Sequence, residues 1–245
     1  MSVSRVEDGL RSGPFTDDLP SIIAAAHELK SPLALIRQLS LFAQDYDLSH
    51  DEKNEIIQKI VLTSEKALRL TSDLTKSVNL DGAMFQLEPI NPCQVCEEVI
   101  HELSPLFKAY GRNLKLKYHS WSPLVVANRD LLRRVVINFS ENALSYCGQS
   151  GLVNIMIKES KSKGLVQIGV RDFGPAISSD LLKQIKNKLP TNSSSVYSRP
   201  QSSGLGLYIS SKFAELMGGS VGVTRHHDGT TFYINLQLSN QLSLL

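Results

Sequence analysis

The sequence has 245 residues, of which 42% are hydrophobic and 20% charged, with 26 basic side chains against 24 acidic ones. This length suits one large domain or two modest ones, and no basic face or tail of the kind found in nucleic-acid or membrane-surface proteins is visible. No apolar stretch approaches the ~18 residues needed to cross a bilayer, and the polar N-terminus lacks the apolar middle of a secretory signal. We therefore expect a cytoplasmic protein with neither nucleic acid nor a membrane among its partners.

Two long helices are predicted after a flexible tail over residues 1–17. The first is expected from Asp17 or Asp18 to about Tyr46, and the second from about Ser49 to Val78, each with an apolar stripe at helical spacing. The polar segment between them is short, so the helices should fold back as an antiparallel hairpin over residues 18–80. Because two helices cannot bury both stripes, we expect a homodimer in which two hairpins form a four-helix bundle.

Short strands and helices alternate from Met84 onward, which predicts an α+β fold with an α/β sandwich over residues 84–240. The Ser-, Asn- and Pro-rich segment over residues 178–203 resembles a flexible lid. The predicted elements are a strand over 84–89, a helix from Pro92 to about Lys108, strands over 113–119 and 124–127, a helix from Arg129 to about Tyr146, a hairpin of strands over 153–160 and 165–172, a helix from Leu205 to Met217, and strands over 220–225 and 230–238.

Three cysteines cannot form a disulfide framework, which agrees with a reducing compartment. Cys93 and Cys96 form a C-x-x-C pair that could be redox-active or half of a metal site. The alternative is plain packing, because the pair opens an amphipathic helix and no second pair supplies the other two zinc ligands.

The first helix contains the segment HELKSPL, in which His27 lies at the edge of the apolar stripe. A neutral imidazole is a good nucleophile near pH 7, and attack by Nε2 needs an acceptor at Nδ1, which the adjacent Glu28 can supply. Pro32 leaves the carbonyl of Glu28 without its helical partner, so we expect the helix to bend there. A solvated His-Glu pair with an incidental proline is the alternative, and this segment alone cannot exclude it.

Three segments of the second domain fit a nucleotide. Asn138 and Asn142 lie four residues apart on one helical face, where their carbonyl oxygens suit Mg²⁺. Asp172 follows a strand and is able to accept a hydrogen bond from the exocyclic amine of adenine. Gly204 and Gly206 stand at the start of a helix, whose free N–H groups and dipole can cradle phosphate. Each segment alone could be a solvated helix or a tight turn, but their joint occurrence in this order favours a nucleotide site.

With these segments in place, residues from about Asp18 to Leu238 resemble bacterial sensor histidine kinases, with a phosphoacceptor helical hairpin followed by a Bergerat-type ATP-binding domain. HELKSPL resembles the phosphoacceptor box, NFSENAL the asparagine box, and DFGPAI and GLGL the two glycine boxes. GTTFYINL resembles the closing strand, whose threonine, Thr231 in this sequence, lies near adenine in the superfamily.

The resemblance implies an ATP-dependent kinase that phosphorylates His27 and passes the phosphoryl group to an aspartate of a response regulator. It implies ATP and Mg²⁺ as cofactors, Asn138 and Asn142 as metal ligands, and Tyr146 stacked on the base. The implied nucleotide-binding residues are Asn138, Asn142, Tyr146, Asp172, Gly174, Ala176, Gly204, Leu205, Gly206, Leu207 and Thr231.

The sequence departs from the family pattern at several positions. Ala176 replaces the second glycine of the first glycine box, and Ser145 stands where a phosphate-contacting lysine is common. Arg199 or Lys183 could supply that charge instead. These departures leave open a non-catalytic dimeric signalling scaffold of the same fold. An ATP hydrolase of the superfamily is disfavoured, because the resembling hydrolases carry a glutamate at the position of Asn138, and an amide cannot act as a general base.

Overall fold

The structure is a computed structural model that describes residues 19–44, 48–78, 85–117, 123–148, 151–177, 182 and 205–240. The predicted tail and most of the predicted lid lie outside these residues, as do Arg199 and Lys183. Within the described residues, no helix combines the length and the apolar character that crossing a membrane requires.

The described part of the chain begins with two helices that contact each other, α1 (Leu19–Phe42) and α2 (His50–Val78). A reciprocal capping box opens α2: the hydroxyl of Ser49 accepts from the N–H of Glu52, whose carboxylate accepts from the N–H of Ser49 at 2.9 Å. The predicted start of α2 is therefore confirmed, whereas α1 ends at Phe42 and not near Tyr46, which lies outside the described residues. Helix α1 continues through Pro32, and the bend expected there stays a prediction.

The rest of the chain alternates strands and helices, as predicted. Asparagine side chains cap two of the helices: Asn91 accepts from the N–H of Cys93, and Asn128 accepts from the N–H of Leu131. The elements are β1 (Glu88–Ile90), α3 (Pro92–Ala109), β2 (Asn113–Lys117), β3 (Val125–Ala127), α4 (Arg129–Tyr146), β4 (Leu152–Ser160), β5 (Leu165–Asp172), α5 (Leu205–Leu216), β6 (Ser220–His226) and β7 (Gly229–Gln237).

Five of the strands form one sheet in the order β2-β4-β5-β7-β6, in which only the β2–β4 pair is parallel. The predicted hairpin of β4 and β5 is confirmed. Strand β1 begins four residues later than the predicted Met84, because it pairs with β3 in a separate two-stranded sheet that matches Ile90 to Val125.

The core lies between the large sheet and helices α3, α4 and α5. Alternate residues of β5 and β7 point toward these helices, so that Phe232 of β7 meets Phe139 of α4 with ring centroids 6.1 Å apart. The largest fully buried side chains are Phe107, Phe139, Phe213, Leu103, Leu132, Ile155, Ile168, Ile209, Met217, Ile234 and Leu236. One sheet face covered by helices is the α+β arrangement expected from the sequence, while the division at residues 80–84 stays a prediction.

Candidate nucleotide site

Helix α4 carries the two asparagines of the predicted metal site. The side chain of Asn138 is buried, and its nitrogen donates to the carbonyl of Gly206 at 3.5 Å and to the hydroxyl of Ser210 at 3.4 Å. These bonds tie α4 to the start of α5 and leave the amide oxygen of Asn138 for another partner. Asn142 lies one turn further along and is half-buried, and its side chain makes no hydrogen bond with any other residue in the described ranges.

These two amides fit the chemistry of Mg²⁺, which binds few protein oxygens and completes its coordination with water and phosphate. No group of three or more His, Cys, Asp and Glu side chains that could hold a metal occurs among the described residues. A magnesium ion at Asn138 and Asn142 would therefore complete its coordination with water and with the phosphates of a nucleotide.

The start of α5 contains three of the four residues of the GLGL segment. Gly206 is the second residue of the helix, and a Cβ added there would meet only Asn138 Cγ, at 3.9 Å, which is an ordinary contact. The protein itself therefore does not require glycine at this position. Leu207 is half-buried and packs against the core. The predicted Gly204 and the side chain of Leu205 lie outside the described residues.

The turn after β5 holds Asp172 in a fixed orientation. Its side chain is 2% exposed, and the carboxylate accepts a hydrogen bond from the N–H of Gly174 at 3.0 Å. A Cβ at Gly174 would lie 1.7 Å from the carbonyl oxygen of Tyr146, the last residue of α4. This close approach joins the turn to the end of α4, and Ala176 follows half-buried on the same turn.

The two threonines that follow Gly229 in β7 point to opposite faces of the sheet. Thr230 is paired in register with Asp172 and lies on the helix-covered face, with 0% exposure. The hydroxyl of Thr231 lies on the other face, 2.8 Å from Nε2 of His226. Burial, together with the nearby Arg171, holds the pKa of His226 below its usual value. The structure therefore brings Thr230 to Asp172, while the position of Thr231 near adenine stays a prediction. The sequence offers two adjacent threonines, and only the strand register distinguishes them.

The structure describes the remaining predicted residues only in part. His27 and Glu28 belong to α1, but their side chains lie outside the described part of the chain. The hydroxyl of Ser145, where a lysine was expected from the resemblance, donates to the carbonyl of Glu141 on its own helix.

Cys93 and Cys96 are both buried at the start of α3. Burial strongly raises the pKa of the Cys96 thiol, which leaves it protonated at neutral pH. Packing therefore explains this pair better than redox chemistry.

Comparisons with known proteins agree with this geometry. Residues 127–240 match the family described as histidine kinase-, DNA gyrase B- and HSP90-like ATPase. Histidine protein kinase SaeS of Staphylococcus epidermidis is 27% identical over 215 residues, which are 86% of this chain and 61% of that protein. The chain thus spans about three fifths of the length of this curated relative.

Two solved structures of similar fold match more than the ATP-binding domain. The match with full-length ShkA in complex with AMPPNP covers 92% of this chain and 46% of the ShkA chain, with a TM-score of 0.61 and 21% sequence identity. The match with histidine kinase ThkA, solved in complex with response regulator protein TrrA, covers 91% of this chain and 62% of the matched chain, with a TM-score of 0.59 and 16% sequence identity. At these identities the likeness shows the shared fold, which confirms the predicted α+β architecture with a sheet-based ATP-binding domain.

The two glycines of this site should respond differently to alanine. Gly174→Ala should lower the free energy of unfolding by about 3 kcal/mol or more, because the obstacle is a backbone carbonyl that cannot rotate away. Gly206→Ala should leave that free energy unchanged or raise it by up to about 1 kcal/mol, because alanine favours helix. Urea unfolding of both variants measures the difference, and equal stabilities would contradict the close contact at Gly174.

Proposed function

Because this chain belongs to the sensor histidine kinases and carries their ATP-binding domain, we propose that it uses ATP to phosphorylate its own His27 and passes the phosphoryl group to an aspartate of a response regulator. The observation that carries the proposal is the convergence of three segments: Asn138 is bonded to the start of α5, Asn142 lies one turn away, and the Asp172 turn is packed on the end of α4.

In the proposed reaction, Nε2 of His27 attacks the γ-phosphorus of ATP, the bond from that phosphorus to the bridging oxygen breaks, and ADP leaves. Glu28 accepts a hydrogen bond from the Nδ1 proton and stabilises the imidazolium that forms. The carboxylate of a response-regulator aspartate then attacks the phosphorus, and the nitrogen–phosphorus bond breaks to restore His27. The relative ThkA, which was solved with response regulator TrrA, supports a partner of this class.

The proposed nucleotide pose follows from the chemistry of the site. The carboxylate of Asp172 would accept a hydrogen bond from the exocyclic amine of adenine. Asn142 would hold Mg²⁺, and the N–H groups at the start of α5 would bind the phosphates. When it is bound, Mg²⁺ neutralises charge on the transferred phosphoryl group. Gly206 supports this pose because, among the described residues, a Cβ at this position would meet only Asn138 Cγ, at 3.9 Å.

Hydrolysis of ATP by water is not favoured by the described contacts. A hydrolase needs a carboxylate that can take a proton from water. Glu141, the carboxylate nearest to the asparagines on α4, is paired with Lys66 and Arg69 of α2.

A non-catalytic scaffold remains the second candidate, on the grounds that Ala176 and Ser145 depart from the family pattern.

Labelling with ATP that carries a radioactive γ-phosphate separates these functions. We expect the protein with Mg²⁺ to acquire an acid-labile, base-stable label that His27→Gln abolishes, because only the imidazole forms a phosphoramidate. ATP binding, measured in parallel, should be the same in both proteins. Binding of ATP without label in the unmutated protein would support the scaffold, and label that persists in His27→Gln would exclude His27 as the acceptor.

We assign the contact with adenine to Thr230 in place of Thr231, since Thr230 shares the face of Asp172. Thr230→Val should weaken ATP binding by about fivefold to tenfold, which is the value of one hydrogen bond. Thr231→Val is the matched control and should leave ATP affinity unchanged, because its hydroxyl meets His226 on the other face. Calorimetric titration with an ATP analogue compares the two, and the reverse order of effects would overturn the assignment.

We also propose that α1 and α2 pair with a second copy. Ile57, Val61 and Leu68 lie on one face of α2 and are 52%, 50% and 70% exposed. Leu68→Glu should shift the protein from dimer toward monomer in sedimentation velocity, since it places charge in the apolar interface. Leu87→Glu, at an exposed leucine before β1, is the control that should stay dimeric. A monomeric unmutated protein at micromolar concentration would contradict this proposal.

A further inference from the structure

Helix α2 presents a second face to the ATP-binding domain. Leu62, Lys66, Arg69 and Leu70 follow one another at spacings that share one side of a helix. Leu62 packs against the core of the domain, and Leu70 is only 6% exposed. This face is nearly opposite to the exposed apolar face of Ile57, Val61 and Leu68, so a dimer contact would leave it free.

Two cations of this face hold one carboxylate of helix α4. Nη2 of Arg69 lies 2.6 Å from Oε1 of Glu141, and Nζ of Lys66 lies 3.8 Å from Oε2. The side chain of Glu141 is 8% exposed, against 29% for Arg69. A carboxylate removed from water to this extent depends on its partners, unlike the exposed pairs that contribute little. A cavity of about 300 Å³ adjoins the cluster and is lined in part by Asn138.

The position of this cluster connects the two halves of the proposed reaction. Glu141 lies between Asn138 and Asn142 in the sequence. The ion pairs of Lys66 and Arg69 with Glu141 therefore fix the part of α4 that would hold the metal and phosphates. Counted from residue 46, the middle of the connection, His27 lies 19 residues before and Lys66 lies 20 residues after. In antiparallel helices that rise 1.5 Å per residue, the two would lie at nearly the same level, within about 2 Å along the stem. Helix α5, with its phosphate-facing start, contacts both α1 and α2.

We propose that Arg69, assisted by Lys66, is a positioning residue for phosphoryl transfer. Its ion pair with Glu141 holds helix α4, which would bind the nucleotide, at the level of His27. The inference rests on the proposed kinase function and adds a specific contact between stem and ATP-binding domain. Arg69 touches neither substrate nor the reacting atoms in this role. It acts through α4, so its loss should slow the transfer step and spare ATP binding.

Single-turnover labelling of His27 at saturating ATP tests the role of Arg69. Arg69→Gln should lower the rate by about tenfold, the range of coupling expected for a contacting charged pair, with ATP affinity changed by less than about twofold. Arg69→Glu should be slower still, and the double variant Arg69→Glu with Glu141→Arg should regain most of the rate, because the swap restores attraction. Arg129→Gln removes an ion pair with Glu98 inside the ATP-binding domain and should leave the rate unchanged.

Hydrogen–deuterium exchange of the whole chain gives a second readout that needs no activity. Arg69→Gln should raise amide exchange over residues 62–70 of α2 and over α4, with β5 and β7 unaffected, and the swapped pair should restore protection. If the unmutated protein does not label His27, the kinase proposal is wrong. The exchange pattern alone then decides whether the ion pair of Arg69 with Glu141 joins α2 to α4. Unchanged exchange, a rate in Arg69→Gln equal to or above that of the unmutated protein, or absence of rescue by the swap would overturn the inference.

Discussion

The proposed nucleotide site depends on two places where backbone packs against backbone at the end of strand β5. A Cβ at Gly174 would lie 1.7 Å from the carbonyl oxygen of Tyr146, and a Cβ at Gly229 would lie 2.1 Å from that of Asp172. Neither contact can be relieved by a side-chain rotation, so glycine is the residue that permits them. Together they fix the end of α4, the turn after β5 and the start of β7 relative to one another.

This rigid corner holds the groups that would recognise the base, while the groups that would meet the phosphates are less constrained. Asp172 is buried and bonded to the N–H of Gly174, with Thr230 beside it in register. The side chain of Asn142, by contrast, makes no hydrogen bond within the described ranges, and a Cβ at Gly206 would meet only Asn138 Cγ among these residues, at 3.9 Å. Such a division suits a phosphotransferase, because the base must stay fixed while the terminal phosphate moves to an acceptor.

Much of the fold could be predicted from the sequence, because most helices and strands follow from the spacing of apolar residues within short segments. The helical patterns of the sequence predicted both ends of α3 and α4 to within about one residue, and the strand patterns predicted the β4–β5 hairpin. The sequence does not reveal what depends on pairing across the chain: β1 is shifted by its partner β3, and the faces of Thr230 and Thr231 follow from the register with β5. The ion pair between Arg69 and Glu141 joins residues that are 72 positions apart in the sequence, and no local pattern predicts such a contact.

The proposed nucleotide site can be tested by a structure of the protein with a non-hydrolysable ATP analogue and Mg²⁺. We expect adenine against Asp172 and Thr230, and Mg²⁺ with the phosphates between Asn142 and the first turn of α5. A nucleotide bound elsewhere, or an adenine amine that avoids the Asp172 carboxylate, would contradict it.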